Sequence, residues 1–237
     1  TLDALLKLNM IFPIGDTQVQ GGHKPYVSYT FIAINVCVFL YEFYLGPKAN
    51  EFIITYGTIP NEITAGQDYF TLFTSIFLHG GWMHLIGNML FLWVFADNIE
   101  AKIGSSRFLM FYLFGGLVAS LAHVGFNMDS TIPTVGASGA IAAVMGAYLV
   151  MFPKSKIKIL VIVFFRSFHI PAFLFLGLWF GQQLLSSFGS LAETKDTSGV
   201  AWWAHIGGFV VGLVAGYYFK QAMDRWHPSA SAPKDYV

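Results

Sequence analysis

Six apolar stretches of roughly membrane length leave this chain few ways to fold. They cover residues 27–45, 82–95, 108–124, 138–152, 171–188 and 202–219. A helix that crosses a bilayer needs about 20 mostly apolar residues, and its backbone groups must be bonded within the segment. Glycine and proline punctuate the stretches: Gly46-Pro47 ends the first, Gly80-Gly81 precedes the second, and Pro153 stops the fourth. Of the 237 residues, 55% are hydrophobic and 11% charged. A soluble domain carries about 25% charged residues. The expected fold is therefore an all-α membrane protein, a polytopic bundle of six transmembrane helices.

The membrane domain is expected over residues 26–220, between an N-terminal segment, 1–25, and a C-terminal tail, 221–237. With six spans both termini share a side. Lys7, Lys24, Lys102, Arg107, Lys154, Lys156, Lys158, Lys220, Arg225 and Lys234 lie there, against Lys48 and Lys195 opposite. That excess puts both termini in the cytoplasm. The formal net charge is zero, so nothing points to nucleic acid. Cys37 is the one cysteine, which excludes an intrachain disulfide.

The connections differ in character. Residues 48–79 form a polar-aromatic loop too long for a plain turn. Asp97, Glu100, Lys102 and Arg107 read as a solvated cytoplasmic turn. Residues 154–158 read as a basic loop, 159–165 as an interfacial segment, and 186–199 as a polar outward loop. Tyr69, Phe70, Phe73, Phe77 and Trp82 read as interfacial anchors, as do Trp179, Trp202 and Trp203.

Two polar residues open apolar stretches and do not belong in hydrocarbon without a reason: Ser138 and His205. From Ser138 to Pro153 a helix rises roughly 22 Å, short of the ~30 Å core, so Ser138 lies below the outer surface. Its lead-in, 127–137, is polar and contains Pro133 and Gly136, a backbone tolerated at depth only inside protein or beside a wet cavity. Ser138 is thus expected to face an aqueous pocket open to the outside. His205, Gly208, Gly212 and Gly216 share one helix face, and Gly139, Ala142, Ala143 and Gly146 make a matching small stripe. Packing those faces brings Ser138 to His205, a nucleophile type beside a base type. His84 and Asn88, four apart on the second stretch, supply donors for a developing oxyanion. His123 reads as interfacial.

Singly, each feature has an ordinary reading. Small-residue ladders usually only pack, and membrane serines usually bond their own backbone. What points to hydrolysis within a bilayer is that Ser138, His205, His84 and Asn88 all map to the outer halves of three helices. Three imidazoles, His79, His84 and His205, also suit zinc, but no H-E-x-x-H run accompanies them. Neither metal nor cofactor is expected.

Three runs carry a resemblance to a known family. His79-Gly80-Gly81-Trp82-Met83-His84 through Asn88 resembles the second-helix signature of the rhomboid intramembrane serine proteases. Gly136-Ala137-Ser138-Gly139 resembles their nucleophile motif, and Ala204-His205-Ile206-Gly207-Gly208 with Gly212 their histidine motif. The resemblance covers roughly 26–220. It implies a Ser138–His205 dyad with no acidic third member, and an oxyanion hole of Asn88, His84 and the Ser138 backbone N–H. It also implies transmembrane protein substrates, a partly embedded first loop and a gate made of the fifth helix and the 186–199 loop. Being closest to the six-helix prokaryotic type, it further implies a cytoplasmic (inner) membrane. The alternative is a catalytically silent module that binds transmembrane helices, although such proteins usually lack the serine or the histidine. Two positions depart from the pattern. The first loop reads Asp68-Tyr69-Phe70-Thr71 where members often carry Trp-Arg. Ala142 stands where some members stack an aromatic ring on the histidine, which leaves His205 to be oriented by another group.

Overall fold

The computed structural model describes residues 11–17, 24–161, 166–192 and 200–226. The expected tail beyond residue 226, most of the N-terminal segment and the second half of the 186–199 loop (193–199) lie outside them. The described chain is mostly helical. Its long helices are α1 (Tyr26–Leu45), α5 (Trp82–Ile103), α6 (Ser105–Phe126), α7 (Ser138–Met151), α8 (Ala172–Ala192) and α9 (Trp202–Trp226). Three short helices, α2 (Ala49–Tyr56), α3 (Pro60–Thr64) and α4 (Thr71–Thr74), occupy what the sequence reading treated as one loop.

By length and composition, two described helical runs suffice to cross a membrane: Tyr26–Tyr56 and Ser105–Phe126. Ser138–Met151 and Ala172–Phe188 are apolar but shorter. Helices α5 and α9 are diluted by polar residues, among them His84, Asn88 and His205.

Helix α7 is the centre of the fold. Every residue from Gly139 to Tyr148 is buried, and its main neighbours are α9 and α6. Small residues permit this. A Cβ added at Gly212 would lie 2.0 Å from the Ala143 carbonyl oxygen, and one at Gly208 would lie 2.1 Å from that of Gly139. These distances are far inside van der Waals contact, so α7 and α9 meet backbone to backbone.

Two expectations are corrected. The first is the solvated turn after the second stretch. Helix α5 continues to Ile103, and Asn98 and Glu100 are fully buried. Glu100 accepts hydrogen bonds from the backbone N–H groups of Val27 (3.0 Å) and Ser28 (2.8 Å) and from the hydroxyls of Ser28 and Ser105, both 2.6 Å. The first N–H groups of a helix have no partner within it. The Glu100 carboxylate supplies one to α1 and ties that helix to the α5–α6 corner.

The second is the all-α fold. A three-stranded antiparallel sheet in the order β1 (Ile11–Asp16), β2 (Lys156–Val161), β3 (Arg166–Pro171) stands where a basic loop and an interfacial segment were expected. Lys156-Ile157-Lys158-Ile159 alternates with the strand period, and Ile157 is fully buried. The sheet is fastened to α7 by the Tyr148 hydroxyl, which bonds the Asp16 carboxylate and lies 2.5 Å from Ser155 Oγ. It sits at the end of α7 opposite Ser138.

Candidate functional site

Ser138 is the first residue of α7, and the segment that delivers it is pinned from the side. Thr58, after α2, exchanges two backbone hydrogen bonds with Thr134, 3.0 and 2.8 Å. The Thr58 hydroxyl lies 2.9 Å from both the Thr71 carbonyl and Ser75 Oγ. Ser75 in turn accepts the Gly136 N–H, 2.8 Å. The first loop is thus anchored through threonine and serine backbone pairing, with no arginine involved. Gly136 has φ of +127°, a region that L side chains rarely adopt. A Cβ there would lie 2.7 Å from His84 Nε2 and 3.6 Å from Asn88 Nδ2. Glycine is required at this position both for its backbone and for the space it leaves those two side chains.

His205 lies in the first turn of α9. Its Nε2 is 2.7 Å from Ser138 Oγ. Its Nδ1 is 2.7 Å from Oε1 of Gln183 on α8. Gln183 is itself buried, and its amide nitrogen donates to the Trp179 carbonyl, 3.2 Å away. The ring of Trp179 has its centroid 5.7 Å from that of His205, and Trp202 presents an edge-on face at 6.2 Å. These two tryptophans, expected to be interfacial anchors, enclose the histidine. Trp203 stacks on Phe126 with centroids 3.7 Å apart.

On α5, His84 Nδ1 accepts the Gly80 N–H, 3.3 Å. The other ring nitrogen, Nε2, then carries the proton and faces Gly136. The Asn88 amide lies 3.0 Å from Nε2 of His79, whose backbone N–H is 3.3 Å from the carboxylate of Glu42, a buried acid on α1. The rings of His79 and His84 are 5.1 Å apart. Among the described residues no three His, Cys, Asp or Glu side chains are grouped to hold a metal ion. His123, expected at an interface, is buried beside Asn127 at the end of α6. A cavity of about 20 Å³, room for one water, touches Ser138, Gly136, Ser75 and Ala204.

The structure therefore brings Ser138 and His205 into contact and sets Gly136 against His84 and Asn88. Gly139, Gly208 and Gly212 form the helix contact beneath them, and His79 backs Asn88. Two residues were missed by the sequence reading: Gln183 and Glu42. Each is a polar residue inside an apolar stretch, and that alone was a signal, because such residues are costly in a membrane.

Comparison with known proteins places the chain in a family. The rhomboid domain family model matches residues 66–222. The rhomboid protease GluP of Bacillus subtilis is 33% identical over 197 residues, which is 83% of this chain and 35% of that protein. The mitochondrial rhomboid protein 1 of Saccharomyces cerevisiae is 27% identical over 208 residues, 86% of this chain and 56% of that protein. The chain thus spans between a third and somewhat over half of the length of these relatives. It belongs to the rhomboid family, and with that family it is an integral, multi-pass membrane protein.

Proposed function

We propose that this protein is an intramembrane serine endopeptidase that cleaves transmembrane protein substrates through an acyl-enzyme. The observation that carries the reading is the 2.7 Å contact between Ser138 Oγ and His205 Nε2, with donors gathered on the far side of Gly136. His205 takes the hydroxyl proton as Ser138 attacks the scissile carbonyl, and returns it to the departing amine. Water then releases the acyl group by the same proton transfers. The oxyanion is held by the Asn88 amide, His84 Nε2–H and the Ser138 backbone N–H, which heads α7 and has no partner within that helix. His79 and Glu42 hold Asn88 and the loop ahead of α5.

On this reading the six long helices cross the bilayer, with both termini cytoplasmic and the site open outward. The membrane is the inner membrane of a prokaryote, and α8 is the substrate gate. The site residues need no metal or cofactor for these steps.

The test is turnover in lipid vesicles of a membrane-anchored substrate with a fluorophore on its outer segment. The parent releases the fluorophore; Ser138→Ala and His205→Ala do not. Cleavage that persists in either variant contradicts the proposal, and binding of the substrate without turnover by the parent favours the silent module. Activity also depends on a neutral imidazole, since a protonated one cannot accept the serine proton. Turnover is therefore present above the pKa of His205 and is lost as pH falls through it. A rate that stays level while acid titrates the ring removes His205 as the base.

A further inference from the structure

The dyad of this protein has a neutral third member. We propose that Gln183 is a positioning residue that holds His205 in the one tautomer able to receive the serine proton. The proposal rests on the reading of Ser138 and His205 as nucleophile and base.

His205 Nε2 faces Ser138 Oγ, so a base at that nitrogen must carry its proton on Nδ1. Nδ1 faces the Gln183 side-chain amide at 2.7 Å. An amide can present either its oxygen or its nitrogen. Here the nitrogen is engaged 3.2 Å from the Trp179 carbonyl, which accepts only. Turning the amide over would set two acceptors against each other and leave a buried donor facing the ring. The oxygen therefore points at Nδ1 and accepts its proton, and Nε2 is left with a lone pair aimed at the serine. Gln183 is buried, so water does not compete for the ring nitrogen. Among the described residues, the other ionisable groups that act on His205 are His84 on α5 and His123 on α6, and neither is hydrogen-bonded to Nδ1. Trp179 and Trp202 confine the ring but cannot choose between tautomers. With Ala142 small and apolar on α7, the choice falls to the amide.

A catalytic histidine left in the wrong tautomer loses orders of magnitude in rate, and loss of a group that orients another commonly costs about 10- to 100-fold. Two measurements test the proposal on the full chain in detergent or lipid. Nitrogen-15 NMR of histidine-labelled protein at neutral pH is expected to show His205, assigned through its loss in His205→Gln, protonated on Nδ1. An Nε2-protonated His205 overturns the proposal without any change at Gln183. Gln183→Leu keeps the volume and removes the acceptor. It is expected to lower kcat and the rate of fluorophosphonate labelling 10- to 100-fold, with KM within about twofold. Gln183→Glu restores the acceptor and is expected to recover most of kcat. It also moves the acid limb of the pH profile to higher pH, because a carboxylate stabilises the imidazolium. Equal kcat in parent and Gln183→Leu, or an unmoved acid limb in Gln183→Glu, overturns the proposal. If the parent itself neither labels nor cleaves, the proposed function fails instead, so the two failures are distinguishable.

Discussion

His205 is held by two interfaces of opposite construction. On one side α9 meets α7 through Gly208, Gly212 and Gly216, whose would-be Cβ atoms fall 2.0–2.7 Å from backbone atoms of Gly139, Ala143 and Ala147. On the other side α9 meets α8 through large rings. Phe180 stacks on Phe209 with centroids 4.4 Å apart, and Trp179 lies 6.0 Å from the same ring. The first interface has no side chains to rearrange, so it sets one separation between Ser138 and His205. The second is adjustable, and the outward face of α8 is bare: Leu178 is 65% exposed and Leu185 77%. The Ser138–His205 distance and the orientation of the His205 ring are thus controlled by different helices.

The largest loss is expected when a side chain is put into the first interface. Gly212→Val places a branched group against the Ala143 carbonyl. Overpacking of a core commonly costs about 1–3 kcal/mol, and a clash with backbone belongs at the upper end or beyond. Thermal unfolding should fall accordingly, and Ser138 labelling should be lost. A variant that unfolds and labels like the parent contradicts the backbone contact.

Next in size is the donor side of the site. Asn88→Ala is expected to lower kcat about 100- to 1000-fold while the fold persists. Comparable loss of the folded protein in a thermal scan would reassign Asn88 to a structural role, through its contact with His79.

The smallest effect is expected on α8. A Cβ at Gly181 or Gly177 meets nothing within 4 Å. Either glycine changed to alanine should leave the unfolding midpoint unchanged or raise stability by up to ~1 kcal/mol. Losses like those of Gly212→Val would show that α8 is packed as tightly as α7, and the contrast would disappear.

Much of the site was legible because each of its parts depends on a local pattern. The glycine spacing of α9 sets a face, His84 and Asn88 are one turn apart, and a serine at the head of a short apolar stretch has an implied depth. Three features were not legible, for physical reasons. Glu100 looks solvated in sequence, but the N–H groups it caps belong to α1, 72 and 73 positions away. The sheet pairs residues 11–16 with 157–161, and a strand of six residues is short enough to pass for a loop when its partner is remote. Gln183 sits in a helix whose pattern only says membrane, and its contact with His205 depends on which face α8 turns toward α9, which no local pattern encodes. Nor does the sequence show that Trp179 and Trp202 lie against His205, because their amphipathic character fits an interface as well as it fits that contact.

The proposed function stands on the contact between Ser138 and His205, which would make the serine a nucleophile. Incubate the protein in lipid or detergent with a fluorophosphonate probe and locate the adduct by mass spectrometry. One adduct is expected, on Ser138, formed by the parent and absent or slowed by several orders of magnitude in His205→Ala. An adduct on another residue, or equal labelling of Ser138 without His205, contradicts it.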